Sequence, residues 1–516
     1  MKIITIDGKS LNFADIDIFL KEKVRINIAH EAVLRIKNAR EFVESKLGDS
    51  QAIYGVNTGF GRLASKKIST QQLEELQQNL IISHAAGVGD YFPDNLARLI
   101  MLLRANVLAA GFSGIKPETL ELLKEILNKD IIPLIPCQGS VGASGDLSPL
   151  AHIALVLLGM GKVKFHGKIM EASSALEKAG LKPVKLAAKE GLALINGTQA
   201  MCALGATAVI KAQKLVKLAD IVGALSIEGD RASLKPFDER IHKIRPHPGQ
   251  LATAQNVRRL LEDSEIINSH LKCKRVQDPY SFRCIPQVHG AVKDSIKHCG
   301  AVIERELNSC TDNPLVFADD EEIISGGNFH GEPLAMALDF LTIALAELGS
   351  ISERRVAILL SPLEEELSQK YLVNNSGLNS GLAPLHVTMA ALVSENKTLA
   401  HPASVDSIPT FAGQEDHVSM GLWGARKSLQ VAENIEKILA IELLAAAQAI
   451  DLGQKESQKQ KTLGKGTSQA YELIRKTVSY LEKDRLINID IQNCLKLVAS
   501  EAILTLVEAS IGSLRL

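Results

Sequence analysis

The run Cys137-Gln138-Gly139-Ser140-Val141-Gly142-Ala143-Ser144-Gly145-Asp146-Leu147-Ser148-Pro149 carries three glycines among small residues, and an apolar helical pattern begins directly after it. Such a stretch asks for backbone freedom that side chains would deny. Read by itself, it is first a flexible loop with Asp146 as N-cap of the next helix. A phosphate cradle does not fit, because neither G-x-x-x-x-G-K-[ST] nor a strand-embedded G-x-G-x-x-G is present and an acidic residue stands where an anion would bind. A G-x-S-x-G nucleophile elbow does not fit either, since Ser144 lies between Ala143 and Gly145 with no glycine two positions on. A third reading is covalent. The Gly145 nitrogen attacks the Ala143 carbonyl to close a five-membered ring, and loss of water from Ser144 leaves an exocyclic methylidene. Small flanking residues let the ring close, glycine offers an unhindered nitrogen, and only serine or cysteine at the centre can eliminate to the alkene. The product is an electrophile that no standard side chain supplies.

Elements elsewhere must hold this segment. Leu, Ala, Ile, Lys and Glu dominate, with only 17 prolines in 516 residues, which favours helix. Ser69-Thr70-Gln71-Gln72 fits a capping box, and Leu73, Leu76, Leu80 and His84 follow on one helical face, with a stop expected near Gly87 or Gly89. After Gly424 the series Ala425, Leu429, Ala432, Ile435, Leu439, Leu443, Ala446 and Ile450 continues without a breaker. It predicts a helix roughly 40 Å long, of the kind that packs in bundles. Strand signals are confined to residues 3–6, 162–165, 315–317 and 322–324, and the polar stretch 454–466 reads as an exposed loop. The expected fold is mainly α, with few short strands. Residues 1–200 are expected to form an N-terminal domain carrying the Ala-Ser-Gly segment, and residues 201–516 a long-helix bundle with oligomer contacts.

Composition removes several partners. A net charge of -1 gives no basic footprint, so neither nucleic acid nor an anionic membrane surface is expected. The seven cysteines (Cys137, Cys202, Cys273, Cys284, Cys299, Cys310, Cys494) are odd in number and contain no C-x-x-C pair, which speaks against a disulfide framework and a zinc site. The first residues lack the apolar core of a signal peptide, and runs such as 150–160 and 438–450 are too short or too interrupted to span a membrane. A cytoplasmic protein is expected.

Further motifs occur in order: YGVNTGFG from Tyr54, GSVGASGDLSPL from Gly139, KEGLALINGTQA from Lys189, RPHPGQ from Arg245, QDPYSFRCIPQVHGA from Gln277, TDNPL from Thr311, SGGNFHGEP from Ser325, HPASVDSIPT from His401 and QEDHVSMG from Gln414. Together they resemble the histidine and aromatic amino acid ammonia-lyase family over essentially the whole chain. The resemblance implies a methylidene-imidazolone group (MIO) formed autocatalytically from Ala143, Ser144 and Gly145, with no external cofactor and no metal. It implies a catalytic set of Tyr54, Ser144, Tyr280 and Glu415, with Tyr54 as the base that takes a β-proton. A phenol with a pKa of roughly 10 needs that value lowered to serve. Substrate contacts are implied for His84, Asn196, Arg283, Asn328, Phe329 and Gln414, with Arg283 holding the carboxylate as a planar fork. The pairs Ser83-His84 and Gln414-Glu415 resemble histidine-type members, which implies conversion of L-histidine to trans-urocanate in histidine degradation. Tyrosine or another aromatic substrate, an aminomutase outcome, and a non-enzymatic helical scaffold are the alternatives. The family forms homotetramers whose sites combine residues from several subunits. Phe411 and Gly413 depart from its pattern, standing where histidine-type members generally have Ser and Asn.

Overall fold

The computed structural model describes residues 2–48, 52–59, 61, 66, 68–269, 275–361, 370–457 and 460–516; Phe60 of the Tyr54 motif and Cys273 lie outside the described residues. Twenty α-helices and nine short strands occur among them, so the fold is mainly α. The chain divides into two compact units.

The first unit comprises residues 1–207, 300–339 and 402–426. At its centre is the helix Asp94–Ala109, apolar on nearly every face and therefore buried on nearly every face, from Leu96 to Ala109 with Arg98 the one partial exception. Two polar residues on it, Arg104 and Asn106, are fully buried, and each donates to a backbone carbonyl, Asn196 O and Leu307 O respectively. The strands are short and local. Lys2–Ile6 pairs in parallel with Val24–Ile28, joined by the helix Phe13–Lys21, whose first turn is closed by a reciprocal Asn12–Asp15 capping box. Val88–Tyr91 pairs antiparallel with Pro136–Gln138, which delivers the chain into the glycine-rich run. The helix Leu73–His84 begins where its periodicity predicts and ends three residues before Gly87. Its expected cap differs, because a 3₁₀ turn, Thr70–Gln72, separates Ser69 from the first helical amides. The Ser69 hydroxyl donates instead to Gln72 Oε1 at 2.8 Å.

The second unit comprises residues 208–299, 340–401 and 427–516 and is built of helices. Four of the five unit boundaries fall inside long helices, Gln199–Asp230, Ile285–Glu306, Glu332–Leu360 and Gly421–Ser457, and the fifth, at 401/402, follows the helix Ala383–Leu399. Close approach within this unit depends on Gly349, where a β-carbon would lie 2.7 Å from Ile435 Cδ1 and 3.0 Å from Ile438 Cδ1. The helix Gly421–Ser457 exceeds its sequence prediction at both ends and takes in the first residues of the expected 454–466 loop. Glu332–Leu360 is long and apolar enough to cross a membrane by length and composition, but 67% of its most apolar window is buried in the protein, as in a core helix.

A single boundary at residue 200 does not describe this division. The chain re-enters the first unit twice, through 300–339 and 402–426, and so returns the TDNPL, SGGNFHGEP and QEDHVSMG motifs to the unit that holds the Ala-Ser-Gly segment.

Candidate active site

Three positive φ angles shape the glycine-rich run: 134° at Gly139 and 74° at both Gly142 and Gly145. The last two also have no room for a side chain, since a β-carbon on Gly142 would strike Ser419 Oγ and one on Gly145 would strike the Gly197 carbonyl. Gly145 and Gly197 pair as a parallel bridge, with the Asp146 N–H on Gly197 O at 2.6 Å and the Gly197 N–H on Ser144 O at 3.2 Å. The Ala143–Gly145 segment and the chain at Gly197 are thus two backbones held side by side. Arg104 fixes the second of them, donating to Asn196 O at 2.8 Å, to Gln199 Oε1 at 2.6 Å and to Ala193 O.

Asp146 begins the helix Leu147–Leu157 but does not cap it with its side chain. Its carboxylate turns inward, accepting the Met201 N–H at 2.8 Å and the Ser140 hydroxyl at 3.0 Å. Burial pushes its pKa up to about 7, against the hydrogen bonds from Met201, Ser140 and Ala200 that lower it.

A cavity of about 670 Å³ opens over Ala143 and Ser144, lined also by Tyr54, His84, Asn196, Phe329, Gln414 and Glu415. Most of the residues expected from the sequence therefore converge. The Tyr54 phenol oxygen accepts the Gly61 N–H at 3.4 Å. Its pKa is not lowered within this chain. Burial raises it, and the charges of Glu415 and Asp312 raise it further against the single lowering hydrogen bond from Gly61. His84 Nδ1 lies 2.8 Å from the Leu80 carbonyl, which can only accept, so Nδ1 carries the proton and Nε2 is the ring's remaining polar atom. Glu415 receives the Thr410 hydroxyl on Oε2 at 2.6 Å. The Asn196 Oδ1 atom is buried with no hydrogen-bond partner among the described residues.

Three expected residues are not brought to this cavity. Asn328 is exposed, with its amide 3.3 Å from the Cys310 carbonyl. Tyr280 and Arg283 belong to the second unit, on the short helix Tyr280–Arg283; Tyr280 is 71% exposed and the Arg283 guanidinium lies 4.4 Å over its ring.

Other lining residues were not singled out from the sequence, among them Asn313, His330, Asp416 and His417. All four lie inside motifs, but no spacing distinguishes them from their neighbours. Asn313 Oδ1 accepts the Gly326 N–H at 2.7 Å and so shapes the turn before Phe329. His330 and His417 stack with ring centroids 5.7 Å apart. With Glu332 they offer ligand atoms within 4.8 Å of one another, a spacing that could hold a metal ion. Both His330 nitrogens are already engaged, Nε2 with the His417 carbonyl at 3.2 Å and Nδ1 with the Glu332 N–H at 3.3 Å. A metal would have to displace one of them.

The model of the aromatic amino acid lyase family matches residues 11–476. The chain belongs to that family. A carbon–nitrogen lyase of the aromatic amino acid lyase family accounts for the Ala-Ser-Gly segment beneath the cavity. Relatives include histidine ammonia-lyase of Stigmatella aurantiaca, 50% identical over 507 residues and covering 98% of each chain. Histidine ammonia-lyase of Gloeobacter violaceus is 49% identical over the whole of both chains. Among solved structures, histidine ammonia-lyase from Trypanosoma cruzi superposes with a TM-score of 0.90 at 45% identity, over 99% of this chain and 96% of that one. Tyrosine aminomutase from Streptomyces globisporus gives 0.91 at 38% identity, over 99% and 100%.

Proposed function

We propose that the cavity takes L-histidine and eliminates ammonia from it to give trans-urocanate. One juxtaposition carries this reading: an imidazole, His84, and a carboxylate, Glu415, line the same cavity as Ala143 and Ser144. Identity near 50% to histidine ammonia-lyases supports it.

The residues fit a methylidene-imidazolone made from Ala143, Ser144 and Gly145. Gly145 has no β-carbon to strike the Gly197 carbonyl, and the unpartnered Asn196 Oδ1 offers an acceptor beside the segment. Once formed, that group supplies the electrophile that turns the substrate amine into a leaving group. The side chains supply the rest. Glu415 accepts a substrate imidazole N–H and favours the charged ring, which acidifies the neighbouring β-C–H. Tyr54 removes that β-proton; the C–H electron pair becomes the new double bond, and nitrogen leaves with the Cα–N pair. Asn196, Phe329, Gln414 and His84 Nε2 orient the substrate. Arg283 and Tyr280 enter from a second copy of the chain in a homotetramer, where the Arg283 charge holds the substrate carboxylate and brings the Tyr54 pKa down. A cytoplasmic location belongs to the same proposal.

A second reading, amine transfer to the β-carbon of an aromatic amino acid, has the likeness to tyrosine aminomutase in its favour. Purified protein is assayed with L-histidine, L-tyrosine and L-phenylalanine, following ultraviolet absorbance and identifying products. Absorbance should rise with histidine, Ser144→Ala should abolish the rise, and intact mass should lie two waters below that of the unmodified chain. A flat trace with histidine from protein carrying that mass loss would overturn the proposal.

A further inference from the structure

The two segments that carry Tyr54 and Glu415 meet through a contact that neither catalytic motif explains. Residues 410–415 form a tight loop in which Thr410 and Glu415 pair as an antiparallel bridge, the Thr410 N–H on Glu415 O at 2.9 Å. At its tip Phe411 and Ala412 both adopt left-handed backbone, with φ of 48° and 56°. That conformation is costly for residues bearing a β-carbon. Its result is to lay the Phe411 ring on Gly61. A β-carbon on Gly61 would lie 2.6 Å from the ring's Cδ1 and closer still to Cε1, so the ring occupies the space of the missing side chain. Gly61, itself at φ 53°, directs its N–H to the Tyr54 phenol oxygen at 3.4 Å. The contact runs from an aromatic ring through one glycine to the hydroxyl of the proposed base.

The geometry points to Phe411 as a positioning residue, whose ring presses on Gly61 and keeps the Gly61 N–H on the Tyr54 oxygen. This inference rests on the reading of Tyr54 as the base of the elimination. A hydrogen bond of 3.4 Å stands at the limit of useful geometry, so a displacement of a few tenths of an ångström removes it. The N–H stabilises phenolate over phenol, and its loss leaves less phenolate at a given pH. The charges acting on that phenol are Glu415 and Asp312, and His84, Asp416, His330 and His417 line the same cavity. Phe411 also stands on the cavity wall, and its carbonyl accepts the Gln414 N–H at 3.3 Å; trimming the side chain leaves that backbone bond in place, so the effect falls mainly on kcat rather than KM.

The test compares wild type, Phe411→Ser and Phe411→Leu in the full chain. It measures kcat and KM for histidine against pH, together with hydrogen exchange of the segment from Tyr54 to Gly61 and of the helix Asp94–Ala109 as a folding control. Phe411→Ser should lower kcat on the order of tenfold while leaving KM within about twofold, since a small misplacement of a reacting group is costly. The rising limb of kcat should move to higher pH, and the Gly61 amide should exchange faster while the control helix is unchanged. Phe411→Leu, which keeps an apolar cover, should recover most of the loss. Wild-type kcat, pH limb and Gly61 exchange in Phe411→Ser would overturn the inference, and so would a change in KM alone. If wild type releases no ammonia from histidine, the elimination reading fails separately, and the exchange comparison still decides whether Phe411 holds Gly61.

Discussion

A carboxyl buried one residue beyond the Ala-Ser-Gly segment is held by hydrogen bonds that favour its charge and by burial that opposes it. For Asp146 burial prevails, and its pKa rises from 3.8 to about 7 in the folded chain. The folded state therefore binds more protons than the unfolded state across that interval, and stability from this group falls as pH rises from about 4 to about 7. Asp146→Asn removes the titration and keeps an acceptor for the Met201 N–H. Thermal unfolding of both proteins at pH near 5 and near 8 should show the difference in Tm moving in the variant's favour at the higher pH; a difference independent of pH counts against a raised pKa. The sequence marks Asp146 as an N-cap because its type and place fit one, but direction depends on Met201, which arrives 55 residues later. The same limit explains other misses. Tyr54, His84 and Glu415 are legible because unusual side chains stand in motifs, whereas the raised pKa of Tyr54 comes first from its burial and then from the charges of Glu415 and Asp312, far away in the chain. Asn328 lies next to Phe329, yet only Phe329 lines the cavity, and no spacing decides between adjacent residues.

Helices are the most legible elements, since a 3.6-residue period survives whatever packs against it. Leu73–His84 and Gly421–Ser457 both emerge from apolar spacing, as do the short strands Leu315–Phe317 and Glu322–Ile324 from their β-branched residues. What period does not reveal is charge buried inside the long helices. Arg355 donates to Glu442 from Nε at 2.5 Å and from Nη2 at 2.8 Å, both side chains are fully buried, and Ser226 adds a hydroxyl at 2.7 Å. Nearby, Asp220 accepts from Lys293 at 2.6 Å and from His289 at 2.9 Å. No spacing in the sequence marks these residues as buried or paired. Breaking such a pair leaves an uncompensated charge out of water, so Glu442→Ala should cost about 3–5 kcal/mol in denaturant unfolding. Replacing both partners with methionine should recover much of that loss, because the desolvation of each ion disappears with it. Equal destabilisation by the single and the double variant would show that the pair itself is not the source.

At the scale of the whole molecule, the chain enters the site-bearing unit three times, and each entry contributes lining: Tyr54 to Asn196 from the first, Phe329 from the second, Glu415 from the third. Sequence order hides this, because motifs more than a hundred residues apart give no sign of which unit they rejoin. Tyr280 and Arg283 are the informative exception, matching site motifs while lying in the other unit and not lining the cavity. If a second copy supplies them, one chain's Ser144 works with another chain's Arg283, and two defects in different chains can leave a whole site. Ser144→Ala and Arg283→Gln should each be inactive as pure proteins. Co-expressed with different affinity tags and purified through both, the hybrids should regain activity towards at most about a quarter of the wild-type level, the share of sites that draw both intact residues by chance in a closed assembly. Separately purified variants mixed without subunit exchange should stay inactive. Hybrids that assemble yet release no ammonia would place Arg283 in the same chain as the Ser144 it serves, and the shared-site arrangement would have to be abandoned.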